Sequence, residues 1–212
     1  MRETKGKNLT RLFIIGGALC CFAFIAYFVV TKETIGFDTT VREWFYQLRR
    51  SGLNGIMIAI TYMGNWQAIV MLCLGLLVFN KTRKEIGVPL SMVSAVSVVI
   101  YKIIKSSFKR ARPAVALHII NQGGYSFPSG HALNSLVVFG FLIYLIRKNV
   151  GNKRIANVLT GILSALIVLV GISRIYVGVH FPTDVLGGWF LGSAFLIIAI
   201  MVTEKIKTER GE

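Results

Sequence analysis

Six strongly apolar stretches separated by short polar or basic connections constrain this 212-residue chain more than any other feature. They lie near residues 12–30, 66–80, 87–104, 129–146, 155–173 and 185–203. Hydrophobic residues make up 54% of the chain and charged residues 16%, with a mean hydropathy of +0.66. A water-soluble core of this size cannot hide that much apolar surface, so the solvent is a bilayer. At 1.5 Å rise per residue, a 19-residue run reaches roughly 29 Å, enough for the hydrocarbon core. Backbone exposed to lipid must satisfy its hydrogen bonds within its own segment, which makes the spans helical. The expected fold is therefore all-α: one polytopic domain over 1–212, with six transmembrane helices in one bundle.

Two further segments belong to this layout. The apolar region 53–79 is interrupted by Gly64-Asn65-Trp66-Gln67, which predicts a short interfacial helix followed by a span over 66–80. Residues 38–50, with Trp44 and Tyr46, read as an amphipathic interfacial helix with aromatic anchors. The first apolar run follows Arg2, Lys5, Lys7 and Arg11, as a signal peptide would. At 19 residues it is longer than an ordinary signal core and no small-residue cleavage site follows Val30, so it reads as a retained span.

Charge sets the orientation. Segments 1–11, 81–87, 147–156 and 204–212 hold 4, 3, 4 and 3 Lys/Arg, which is 14 of the 24. They alternate along the chain, so six spans place them all on one side. That side, with both termini, is expected to be cytoplasmic. The segment 102–128 departs from the rule with Lys102, Lys105, Lys109, Arg110 and Arg112. Cations on the opposite side suit an anionic ligand. The net charge of +15 sits in these clusters and no nucleic-acid motif accompanies it, so membrane flanks and an anion explain it better than nucleic acid. Cys20, Cys21 and Cys73 lie inside apolar runs and give no disulfide or metal spacing.

Three short segments carry the chemistry: Lys105-x6-Arg112-Pro113, Pro128-Ser129-Gly130-His131, and Ser173-Arg174-x5-His180-x3-Asp184. Each falls at an odd-to-even connection between spans, so all three should meet at one extracytoplasmic face. Lys105, Arg112 and Arg174 can clamp phosphate oxygens. For Lys105 and Arg112 the plainer alternative is snorkelling at a span end. Arg174, placed beside an apolar run, is a functional candidate by default. Ser129 can cap a helix whose first turn presents free N–H groups and His131 to an anion, with Gly130 leaving room for a close ligand. His180 and Asp184, four residues apart, allow the carboxylate to hold one ring nitrogen and leave the other free to attack. Two histidines and an aspartate could instead hold a metal, but three cations in the same pocket would repel it, so no metal or other cofactor is expected. Gly188-x3-Gly192 suits close packing of two helices.

These segments, KSSFKRARP, PSGH and SRIYVGVHFPTD, together with the six-span layout, resemble the type 2 phosphatidic acid phosphatase superfamily of integral membrane lipid phosphatases. The length and compact loops resemble its bacterial phosphatidylglycerophosphatase B and undecaprenyl pyrophosphate phosphatase members. The resemblance implies His180 as nucleophile, forming a phosphohistidine, with Asp184 orienting it and His131 as general acid and base. It implies Lys105, Arg112, Arg174, Ser129 and Gly130 as phosphate ligands, and no metal. The implied function is hydrolysis of phosphatidylglycerophosphate, undecaprenyl pyrophosphate or phosphatidate at the outer leaflet. A non-catalytic lipid-phosphate-binding protein or transporter would use the same pocket, but binding alone has no need of His131, His180 and Asp184 together.

Overall fold

The computed structural model describes residues 2–31 and 36–209. The elements are helices: α1 (Arg2–Thr31), α2 (Gly36–Gln47), α3 (Ser51–Met63), α4 (Trp66–Val78), a single turn α5 (Asn80–Thr82), α6 (Val88–Phe108), α7 (Gly130–Asn149), α8 (Lys153–Tyr176) and α9 (Pro182–Glu209). A π-helical turn, Arg83–Gly87, joins α5 to α6, and a 3₁₀ turn, Val115–Leu117, lies in the connection 109–129. Five helical segments are long and apolar enough to cross a bilayer. Each extends beyond its apolar run, because the flanking polar residues continue the helix past the hydrocarbon.

The region of the expected second span is a bent pair of helices. At 13 residues, α4 alone reaches only about 20 Å. The bent pair α3 and α4, at 54° to one another, together meets the length and apolarity of a span. The bend sits at Gly64-Asn65, where a Cβ on Gly64 would fall 2.5 Å from Val170 Cγ1 and 3.3 Å from the His131 ring. Glycine there lets the broken helix approach α8 and brings Asn65 beside His131.

The central post is α7. In its most apolar window 67% of residues are buried, against 17% for α1 and α8. Leu133, Phe141 and Leu145 pack on neighbouring helices at essentially zero exposure. In a bilayer such contacts hold by close packing rather than by exclusion of water. Gly188 and Gly192 provide the close approach of α9 to α7: a Cβ at Gly188 would lie 2.7 Å from the Ser129 carbonyl, and one at Gly192 3.2 Å from that of Leu133. The glycine pair serves packing within this chain.

One end of the bundle is tied by ion pairs, Arg11–Glu204 at 2.5 Å and Lys207–Glu85 at 2.7 Å. The basic termini of the long helices gather there. The other end holds α2, the connection 109–129 and the turn after α8. The α2 helix is more than an interfacial anchor. Trp44 faces outward, but Phe45 packs against Ile175 and Val185, and Asp38 is fully buried.

Candidate active site

The chain leaves α8 through Gly178, whose φ of +85° suits glycine alone; a Cβ there would sit 2.1 Å from the Leu117 carbonyl oxygen. The turn brings His180 back under the helix, 1% exposed. Its Nδ1 lies 3.3 Å from Asp184 Oδ2, and its Nε2 lies 3.1 Å from Arg112 Nη1. A guanidinium only donates, so Nε2 accepts and the ring proton belongs on Nδ1, toward the carboxylate. Burial, then the charges of Arg112, Arg174 and Lys105, hold the His180 pKa well below that of a free imidazole. Burial and these cations thus favour the neutral form of His180, with a lone pair on Nε2.

Asp184 is itself held on all sides. Arg110 Nη1 donates to Oδ1 at 2.7 Å, while the Phe181 amide, at 2.8 Å, and the Ser126 hydroxyl donate to Oδ2. The other Arg110 Nη donates to Asp38 Oδ2 at 2.7 Å, and Asp38 also accepts from the Thr183 amide and hydroxyl. A buried chain of charge, Asp184–Arg110–Asp38, therefore ties α9 to α2. Arg110, one of the five cations of 102–128 that suit an anionic ligand by sequence, instead neutralises two carboxylates. Nothing in the local sequence marks Ser126, Asp38 and Thr183 as part of the site. The buried contact joins residues 72 apart, and no local pattern announces it.

On the open side, Arg112 is fixed by Nε to the Gly124 carbonyl at 2.9 Å and by Nη1 to the Val179 carbonyl at 2.7 Å. Burial lowers its pKa. Arg174, 1% exposed, donates to Thr61 Oγ1 and Gln122 Oε1, each at 2.7 Å. The Lys105 ammonium stands 5.1 Å from the Tyr101 ring centroid. His131 Nε2 is within hydrogen-bond distance of Asn65 Oδ1. A cavity of about 960 Å³ is lined by Lys105, Arg112, Gly130, His131 and His180.

Two local expectations change. Ser129 occupies the N-cap position, but its side chain makes no capping bond; its amide donates to the Asp184 carbonyl at 2.9 Å, pinning α7 to α9. Its hydroxyl is buried without a protein partner among the described residues. The space beside Gly130 is filled by the Tyr101 ring, 2.4 Å from where a Cβ would stand, so the missing side chain makes room for α6, while Gly130 still lines the cavity.

A helical membrane bundle whose three polar motifs converge at one end of a cation-lined cavity defines a membrane phosphatase. The PAP2 superfamily profile matches residues 86–207, and the chain belongs to that superfamily. It is similar to phosphatidylglycerophosphatase B of Bacillus subtilis (strain 168), with 31% identity over 197 residues covering 89% of this chain and 94% of that protein. An undecaprenyl-diphosphatase of Sulfolobus acidocaldarius is 33% identical over 186 residues, covering 83% and 84% of the two chains. The crystal structure of a transmembrane PAP2 type phosphatidylglycerolphosphate phosphatase from Bacillus subtilis matches with a TM-score of 0.81 at 30% identity, over 92% of this chain and 98% of that one. The chain is a multi-pass membrane lipid phosphatase, as its motifs led one to expect.

Proposed function

We propose that this protein is a metal-independent lipid phosphate phosphatase that works through a phosphohistidine at the outer leaflet. The observation that carries the reading is the two-sided hold on His180: Asp184 fixes Nδ1, and Nε2 stands unprotonated at the wall of a cavity lined by Lys105, Arg112 and His131. Nε2 attacks phosphorus and forms the P–N bond as the P–O bond to the lipid breaks. His131 delivers a proton to the departing oxygen, and the Nδ1–H of the new imidazolium is stabilised by Asp184. In the second half, His131 takes a proton from water, which attacks phosphorus and releases inorganic phosphate and neutral His180. Lys105, Arg112 and Arg174, with the hydroxyl of Ser129 and the amide of Gly130, hold the phosphoryl oxygens. Fixed charge of this kind supplies most of phosphoryl-transfer catalysis. The three cations already provide the neutralisation a metal would bring.

The outer-leaflet assignment is supported by the basic helix ends gathering opposite the site, since such ends favour the cytoplasmic side. The substrates supported by the relatives' names are phosphatidylglycerophosphate and undecaprenyl pyrophosphate, with phosphatidate sharing the phosphomonoester of the first. The test is phosphate release from these lipids by the purified protein with a chelator present, together with acid-labile trapping of label from ³²P-substrate. His180→Ala must remove both turnover and trapped label while the protein still elutes as a folded species. More than a few per cent residual turnover overturns the nucleophile assignment.

A further inference from the structure

The cavity does not end at the phosphate-binding groups. It continues between α4 and α6 past Ile69, Cys73, Leu74 and Leu77. The hydroxyls along this stretch are engaged by their own helix: Ser91 Oγ donates to the Gly87 carbonyl at 2.8 Å and Ser94 Oγ to that of Leu90 at 2.7 Å. They offer a ligand no free donor, so the lower cavity is effectively hydrocarbon.

Asn134 is the exception. It lies on α7 three residues after His131 and lines the same cavity. Its Oδ1 is 3.2 Å from the Ser97 hydroxyl, while its amide nitrogen has no protein partner among the described residues. Three helical residues place it about 4.5 Å further along α7 than His131. His131 is assigned to the leaving oxygen, so Asn134 stands a few covalent bonds beyond that atom. In a phosphate ester of a glycerol backbone, that depth carries the next oxygen, an ester or a hydroxyl. In an alkyl phosphate it carries methylenes, whereas in a prenyl diphosphate attacked at its terminal phosphorus it carries the inner phosphate.

We infer that Asn134 is a specificity-determining residue whose amide N–H donates to an oxygen of the substrate's glycerol backbone, so that glycerol-based phosphomonoesters are preferred over phosphates carried directly on hydrocarbon. The inference rests on the phosphatase reading above and selects its substrate class. A site built to hydrogen-bond an oxygen rejects the analogue that lacks it, because the donor is then left buried and unpaired.

The test compares kcat/KM for oleoyl lysophosphatidate and hexadecyl phosphate in the same detergent. Wild-type protein should favour the glycerol substrate. Asn134→Leu should shrink that preference about fivefold to tenfold, the equivalent of one hydrogen bond. Asn134→Ser, with a shorter donor, should shrink it less, and it decides the matter if the leucine variant does not fold. Equal wild-type use of the two substrates, or a preference unmoved by the substitutions, overturns the inference and leaves the phosphatase reading standing. Hydrolysis of neither overturns that reading and the inference with it.

Discussion

Asp38 and Arg110, 72 residues apart, form a buried ion pair at 2.7 Å, and the same guanidinium holds the Asp184 carboxylate that orients His180. The first helix after the first span thereby reaches the catalytic pair through one arginine. Removing one member of such a network leaves charge buried and uncompensated, at a cost of about 3–5 kcal/mol.

Arg110→Ala should therefore lower the thermal unfolding temperature in detergent and reduce phosphate release together, whereas the exposed Lys102→Ala should change stability little. Adding Asp38→Asn to Arg110→Ala should recover part of the stability but not the activity, since Asp184 remains unpaired. Activity restored in the double variant would show that Arg110 acts on stability alone.

The depressed pKa of His180 fixes the sign of two pH effects. The acid limb of kcat/KM for the free enzyme should fall below the value of about 6.5 usual for imidazole. Stability behaves in the same sense. The unfolded imidazole binds a proton near pH 6.5 and the folded one does not, so the contribution is complete above that pH and is lost as the pH drops through the folded pKa. The pH profile of wild-type turnover checks the first effect, and unfolding of wild type against His180→Asn across the same pH range checks the second.

Gly130→Ala places a methyl group where the Tyr101 ring already sits, 2.4 Å away. Overpacking of this kind costs about 1–3 kcal/mol and should also displace the first turn of α7, which carries His131. If the ring is the obstacle, Tyr101→Ala in the same chain should restore the lost stability. If the stability loss persists in the double variant, the glycine is needed for some other reason.

Arg112 binds two backbone carbonyls and His180 at once through a planar fork. A lysine keeps the charge but cannot reproduce that geometry. Arg112→Lys should lower kcat by about a hundredfold, the scale on which misplaced positioning groups act, with a smaller change in KM. Little change in either constant would indicate that charge alone matters at this position.

Much of this protein was legible without coordinates. Hydropathy and backbone hydrogen bonding require the apolar runs to be helical spans, and the alternation of basic segments places Lys105, Arg112, His131, Arg174, His180 and Asp184 toward one end. The i, i+4 spacing of His180 and Asp184 already implied their contact. What tertiary structure alone decided is how that pair is supported. The bend at Gly64-Asn65 sets Asn65 against His131, Tyr101 fills the space at Gly130, and Arg110 pairs with Asp38 and Asp184. Periodicity and spacing report which face a residue occupies within its own segment. They do not report which group from a distant segment meets it there, and that depends on how the helices pack.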